Sequence, residues 1–188
     1  MKPVLSAAIV VALVLTFLLF VGQVALAEET TCRGSLGAVT VDNLRVPQNG
    51  SCTLNGTRVK GTVKVESGAS LTAYRIVVIG NIQADGARVV RVLSGSTVGG
   101  SIQLKQGGAA RVEQVRVTGD IQFESNRGAL SAVRNRVGGN LQAFQNTGGV
   151  SIVANTIVGN LQCKANYPPP TGRYNVVYGS KEDQCVRL

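Results

Sequence analysis

Hydrophobic and polar positions along this chain repeat with a period of 19 or 20 residues, and a glycine marks each repeat. The seven glycines are Gly61, Gly80, Gly100, Gly119, Gly139, Gly159 and Gly179. Around each of the first six, apolar residues stand two positions before the glycine and two and four positions after it, as in residues 117–123. This alternation predicts a short strand with one buried face, whose central glycine leaves room for close packing. Repetition at a fixed interval is typical of a repeat architecture.

A second, weaker apolar segment precedes the glycine in each repeat, as at residues 89–92 and 150–153, and Gly-rich turns such as 107–108 separate the segments. The segments leave no room for a crossover helix, and an alternation of period two opposes helical repeats. Like strands of successive repeats then stack in parallel, with connections of one preferred hand. The pattern predicts an all-β fold, a right-handed parallel β-helix (β-solenoid) with coils of about 20 residues.

Asparagine recurs once per repeat in the second half of the chain, at Asn135, Asn155 and Asn175, four positions before a glycine. This position has the parity of the buried face. Side-chain amides that are stacked inside a solenoid can bond one another and satisfy groups that would be costly to bury alone. We therefore expect a structural asparagine ladder inside the solenoid.

The N-terminal segment differs from the repeats. Lys2 precedes an almost wholly apolar stretch at residues 4–21, and Ala25-Leu26-Ala27 is typical of a signal-peptide cleavage site. The segment favours a signal peptide at residues 1–27, a secreted or extracytoplasmic protein and no stable membrane span after cleavage; an uncleaved spanning helix is the alternative. The other expected boundaries are 28–56 for an N-terminal cap and first coil, 57–162 for the β-solenoid repeats and 163–188 for a C-terminal cap.

Four cysteines form two pairs: 20 residues separate Cys32 from Cys52, and 22 separate Cys163 from Cys185. If one repeat is one coil, each pair lies on neighbouring strands about 4.8 Å apart. A disulfide accepts a Cα separation of about 4.4–6.8 Å. We expect the bonds Cys32–Cys52 and Cys163–Cys185, which clasp both caps and indicate an oxidising compartment. The chain lacks CxxC spacing and histidine, so no metal site is expected.

The chain carries a formal net charge of +9, and removal of residues 1–27, which hold one cation (Lys2) and no acid, leaves +8. Such a charge attracts acidic glycans, anionic lipid or nucleic acid. Export argues against nucleic acid as a partner, and the cations are dispersed along the chain. A solvated basic surface is the favoured interpretation.

Two polar columns occupy outward positions of the same strand. Three residues after the glycine the chain has Lys64, Gln83, Gln103, Gln122, Gln142 and Gln162. One residue after it the chain has Thr62, Asn81, Ser101, Asp120, Asn140 and Asn160. Such columns either stabilise the stack through amide-to-amide bonds or form a platform for a repetitive polymer such as a glycan. For the second interpretation the candidate binding residues are the five glutamines with Asn81, Asn140 and Asn160.

The composition offers little basis for catalysis. The chain has no histidine, the commonest acid–base group, and the cysteines are expected in disulfides. Glu66 and Asp85 would be neighbours on adjacent coils, where a shared site could raise one pKa. Carbohydrate-active β-helices use such carboxylates, but they add long loops and aromatic platforms, whereas these coils are minimal and the chain has no tryptophan. We predict a non-enzymatic protein with no catalytic residues and no cofactor.

The repeated G-x-[IVL]-x-[AVL] phrase across roughly residues 57–161 resembles the coils of bactofilins, the polymer-forming bacterial cytoskeletal β-helix proteins. The resemblance implies a right-handed β-helix and a capacity to form filaments. Two features depart from that family, the export signal and the disulfide-clasped ends, and the closed ends oppose end-to-end assembly. The terminal segments SCTLNGT (51–57), GNLQC (159–163) and KEDQC (181–185) are similar to those of a group of exported bacterial proteins, a likeness that implies no activity.

The sequence therefore predicts an exported structural or surface-binding β-solenoid, whose partner is a cell-envelope polysaccharide or another surface protein. Two alternatives remain: a small carbohydrate-active enzyme that uses surface carboxylates, and an exported filament-forming protein.

Overall fold

The computed structural model describes residues 28–188, which wind into a parallel β-solenoid with three faces. Each coil gives one strand to each of three sheets, here called sheets A, B and C, and equivalent strands of successive coils pair in parallel. The register steps by one coil, as between Ile82 and Ile102. The predicted all-β solenoid with coils of about 20 residues is therefore confirmed. The predicted signal peptide at 1–27 lies outside the described residues, and within 28–188 no helix is long and apolar enough to cross a membrane.

The strands of each sheet follow one another at coil intervals along the chain. Sheet A contains Glu29–Thr31, Asn43–Val46, Val63–Val65, Ile82–Asp85, Ile102–Lys105, Ile121–Glu124, Leu141–Phe144, Leu161–Lys164 and Lys181–Asp183. Sheet B contains Gly34–Leu36, Ser51–Asn55, Ser70–Tyr74, Val89–Val92, Ala109–Glu113, Leu130–Val133, Val150–Val153 and Thr171–Arg173. Sheet C contains Thr40–Val41, Arg58–Val59, Val77–Val78, Thr97–Val98, Arg116–Val117, Arg136–Val137, Thr156–Ile157 and Val176–Val177. Parallel pairing therefore continues into the segments on both sides of the predicted repeats 57–162.

The repeat glycine lies at the bend between sheets C and A. The alternating run read from the sequence is two strands rather than one, since Val117 ends a sheet C strand and Ile121 begins a sheet A strand on either side of Gly119. A Cβ at Gly119 would collide with the Ser101 hydroxyl of the preceding coil, and one at Gly100 would collide with the Asn81 side-chain oxygen. Glycine is thus required by contacts with the previous coil, both with a polar side chain and with the backbone of the preceding repeat glycine, and not by packing inside the coil as expected.

The apolar columns fill one core that runs the length of the solenoid. Ile102 and Ile121 are paired in register and fully buried, which confirms the predicted alignment of adjacent coils. Phe123 is the largest fully buried side chain and lies opposite Leu104. Full burial of an aliphatic side chain contributes about 1.5–3 kcal/mol. Because every coil contributes such residues, the core keeps the outer columns of successive coils in line.

Both ends carry the predicted disulfides. Cys32 is bonded to Cys52 and Cys163 to Cys185, with Cα separations of 5.7 and 5.2 Å. Each bond joins neighbouring coils, as the sequence spacing predicted. The disulfides indicate an oxidising, extracytoplasmic environment.

Two asparagine ladders are buried at the corners of the solenoid. In the predicted ladder, at the corner between sheets B and C, Asn135 Nδ2 donates to Asn155 Oδ1 and Asn155 Nδ2 donates to Asn175 Oδ1, both at 3.0 Å. A second ladder, which the sequence analysis missed, occupies the corner between sheets A and B and consists of Asn126, Asn146 and Asn166 with Gln184 as its last rung. Its three asparagines are 20 residues apart like those of the first, so the same spacing could have identified them.

Candidate binding face on sheet A

An unbroken ladder of amides follows the outer side of sheet A. Its members are Gln83, Gln103, Gln122, Gln142 and Gln162. Each Nε2 donates to the Oε1 of the next glutamine at 2.8–3.0 Å. The last member, Gln162, donates to a carboxylate oxygen of Glu182 at 2.8 Å. The structure thus brings all five predicted glutamines together and adds Glu182 as a further rung that the sequence analysis did not include.

The ladder holds its amides in one orientation. Each primary amide has two N–H donors and two acceptor lone pairs, and the ladder uses one donor of each Nε2 and one lone pair on each Oε1 that accepts. Adjacent rungs are about 4.8 Å apart. The face therefore offers donors and acceptors at a regular interval on side chains whose rotamers are already fixed, which reduces the entropy lost when a ligand binds.

The second polar column lies beside the ladder, at the bend between sheets C and A. The Oδ1 atoms of Asn81, Asn140 and Asn160 accept the backbone N–H of the equivalent residue one coil later, at 2.8–2.9 Å. Ser101 and Asp120 accept in the same way through their side-chain oxygens. These residues continue the hydrogen bonding between coils where the strands are interrupted. Within residues 28–188 the Nδ2 groups of the three asparagines have no hydrogen-bond partner, so those groups are what this column offers a ligand.

A shallow depression of about 800 Å³ opens beside the first two glutamines of the ladder. Its charged and amide lining includes Lys64, Glu66, Gln83, Asp85, Gln103 and Lys105. Gln83 is in register with Lys64 of the preceding coil, so a cation takes the place of the amide at this end of the ladder. A concave surface with several convergent donors and acceptors suits a polyhydroxylated ligand.

Glu66 and Asp85 line this depression together, as the sequence analysis expected of adjacent coils. The backbone N–H of Gln48 donates to one oxygen of Glu66 at 2.9 Å, and the Arg45 guanidinium lies 3.4 Å from the other. The hydrogen bond from Gln48, with the nearby Arg45, lowers the pKa of Glu66 below its ordinary value. The rise in pKa that a shared site could produce does not occur at Glu66, which is held as a carboxylate.

Phe144 adds an aromatic surface to the face. It lies on an outer position of sheet A two residues after Gln142, in register with Glu124 and Lys164, and is half-buried. The sequence analysis did not place it in the site, although one apolar residue in a column of charged residues was a visible signal. Aromatic surfaces beside a few polar groups are common in ligand sites.

Within residues 28–188 no group of three or more His, Cys, Asp or Glu side chains could hold a metal ion. Comparison with protein-family models, curated proteins and solved structures finds no match for this chain. The resemblance to bactofilins is accordingly supported only as far as the β-solenoid architecture of about 8 turns.

Proposed function

We propose that this protein is an exported, non-enzymatic β-solenoid that binds a repetitive polysaccharide of the bacterial cell envelope through sheet A. The glutamine ladder carries this proposal, because its amides repeat at a constant interval and are held in one orientation by their neighbours. A linear polymer that lies along the ladder meets the same chemistry at each rung. The depression beside Gln83 and the ring of Phe144 provide additional contact surface near the two ends of the array.

The length of the ladder sets the expected binding behaviour. Five rungs span about 19 Å, which accommodates several sugar units. A hydrogen bond at a solvated surface contributes about 0.5–1.5 kcal/mol net, so one sugar unit binds weakly and affinity rises with the number of units until the ladder is filled.

Two further observations agree with an extracytoplasmic site of action. Disulfides are typical of proteins in oxidising compartments, and residues 1–27 have the pattern of a signal peptide. The alternative of a carbohydrate-active enzyme built on Glu66 and Asp85 has less support, because a general acid needs a raised pKa and that of Glu66 is lowered. The alternative of a filament-former has less support, because both terminal segments depart from the repeat and a disulfide ties each of them to the neighbouring coil.

The test compares charge placed on the ladder with charge placed on another face. The variant Gln103→Glu/Gln122→Glu puts two carboxylates on adjacent rungs of sheet A and removes the donors of both amides. The control Ser131→Glu/Ser151→Glu puts two carboxylates on adjacent rungs of sheet B, at outer, half-buried positions. Binding of each protein to a glycan array, to oligosaccharides of increasing length and to cell-wall preparations is then measured.

We expect the ladder variant to remain folded and lose retention on the polymer, while the control binds like the unmodified protein. Equal binding by both variants would exclude sheet A as the binding face. Loss of stability in the ladder variant, together with no bound glycan for the unmodified protein, would show that the ladder is only structural.

A further inference from the structure

Sheet C carries two arginines that face each other on adjacent strands. Arg116 and Arg136 are paired in register, and both are exposed. Strands in register are about 4.8 Å apart, and like charges directly opposite one another destabilise a sheet. Within residues 28–188 neither arginine forms a salt bridge, although six such contacts occur elsewhere. Repulsion between the two arginines therefore destabilises the fold, and no salt bridge within residues 28–188 offsets it.

The carboxylate at the adjoining corner is already neutralised. Glu113 ends a sheet B strand, and its two oxygens are bound by Arg111 at 2.6 Å and by Arg134 at 3.2 Å. Hydrogen bonds from Arg111 and then Arg134 lower the pKa of Glu113, so it stays ionised and occupied. Glu113 is therefore not available to neutralise Arg116 and Arg136. The two arginines add positive charge beside a cluster that already has two arginines and one carboxylate.

Two depressions of about 400 and 290 Å³ flank the arginine pair, and both arginines line each of them. The larger reaches the corner between sheets B and C at Gln114, and the smaller extends across sheet C to Gly138. A Cβ at Gly138 would collide with the carbonyl oxygen of Thr118. The fold therefore keeps this position without a side chain, and the path beside the arginines remains open.

Hydroxyl groups accompany the arginines along the same column. Thr97 is in register with Arg116, and Thr156 is in register with Arg136, so a hydroxyl-bearing residue stands on each side of the pair. Both threonines are half-buried at outer positions. The column offers two cations and two neutral donors in a row of four rungs.

We propose that Arg116 and Arg136 bind a phosphate group of a linear phosphodiester polymer that crosses sheet C through the two depressions. A guanidinium fork binds phosphate oxygens in a bidentate manner. The two non-bridging oxygens of a phosphodiester can accept from two guanidinium groups at once. They belong to the backbone of the polymer, so a chain that crosses sheet C brings them directly between the two arginines, whereas a carboxylate is a side group of its polymer. The depressions on both sides of the pair accommodate the polymer units that precede and follow the bound phosphate. This site lies on a different sheet from the glutamine ladder and does not depend on it.

The experiment measures binding of purified protein to poly(glycerol phosphate) by titration calorimetry at low and at physiological ionic strength. The variant Arg116→Gln/Arg136→Gln removes the pair. The control Arg91→Gln/Arg127→Gln removes the same charge from two exposed arginines of sheet B and of the corner between sheets A and B, neither of which forms a salt bridge in the described chain. A third variant, Arg116→Lys/Arg136→Lys, keeps the charge and removes the bidentate geometry.

We expect the glutamine variant to weaken binding at least about tenfold, the lysine variant to weaken it by a smaller factor, and the control to change it less than about threefold. Equal losses in the control and the glutamine variant would show that only overall charge matters, which overturns the proposal. Equally tight, arginine-dependent binding of polygalacturonate would overturn the selection of phosphate. Arginine-dependent binding to anionic phospholipid vesicles or to inorganic phosphate, without binding to the polymer, would overturn the polymer as the ligand. Thermal unfolding of each variant checks that the exposed substitutions leave the fold intact.

Discussion

Replacement of Asn155 by alanine removes the central rung of the buried ladder at the corner between sheets B and C. Asn155 is fully buried. Its Nδ2 donates to the Ala132 carbonyl oxygen at 2.8 Å, and its Oδ1 accepts from the backbone N–H and the Nδ2 of Asn135, both at 3.0 Å. Its Nδ2 also donates to Asn175 Oδ1 at 3.0 Å. Truncation therefore removes a partner from four buried polar groups, of which Asn135 Nδ2 and Asn175 Oδ1 each keep another hydrogen bond. At about 1–3 kcal/mol for each of the other two groups, the Ala132 carbonyl and the Asn135 N–H, we expect a loss of about 2–6 kcal/mol in the free energy of unfolding.

The matched control is Gln142→Ala in the outer ladder. Gln142 accepts from Gln122 at 3.0 Å and donates to Gln162 at 2.8 Å, so it also links two rungs through a side-chain amide. The difference is exposure, because Gln142 is only half-buried and water can replace both of its bonds. We expect this variant to lose about 0.5–1.5 kcal/mol.

Urea unfolding followed by far-ultraviolet circular dichroism compares the two variants with the unmodified protein under non-reducing conditions. The linear extrapolation gives each free energy, and the slope shows whether the same surface is exposed on unfolding. If Asn155→Ala costs no more than Gln142→Ala, the buried amides do not stabilise the coil more than the outer ones.

Three other predictions concern the disulfides, the core and pH. Replacing Cys32 and Cys52 by alanine should lower the free energy of unfolding by roughly 3 kcal/mol, since the bond closes a loop of about 20 residues; non-reducing peptide mapping should link these two cysteines only to each other. Ile121→Asp buries an unpaired charge in the middle of the stack and should prevent folding, whereas an unchanged melting temperature would disprove the register. Glu113 has a lowered pKa, so its stabilising contribution is present above the unfolded value of 4.5 and is lost as pH falls through the folded value. The difference in melting temperature between the unmodified protein and Glu113→Gln should therefore shrink between about pH 6 and about pH 3, and a constant difference would argue against that role.

The constant coil length explains how much of this fold could be predicted. When coils have nearly the same length, residues 19 or 20 apart in the sequence become neighbours, which located the pair Cys32–Cys52 and the stack of Ile102 on Ile121. The bend at Gly119 was not predicted, because a period of two continues across it. The bend depends on the side chain of Ser101 one coil earlier, and a pattern read within one repeat does not include that contact.

The candidate sites also include features that the sequence predicted and features that it did not. The glutamine ladder was predictable, since its members share one position in successive repeats. The direction of the pKa shift of Glu66 was not, because it depends on Arg45 and Gln48 in an N-terminal segment whose spacing is irregular. The arginine pair was missed although it follows the same rule, since Arg116 and Arg136 are 20 residues apart and each lies three positions before a repeat glycine.

The two outer surfaces differ in what they cost the fold, and that difference predicts how their ligands bind. The glutamine ladder is stabilised by its own hydrogen bonds and still has donors and acceptors to spare. Arg116 and Arg136 repel each other, so an anion that binds between them also removes this destabilising repulsion. Exposed charges are screened over about 8 Å at physiological ionic strength. Binding of a phosphodiester polymer to sheet C should therefore weaken steeply as salt rises, whereas binding of a neutral polysaccharide to sheet A should hardly change, because its hydrogen bonds involve no net charge.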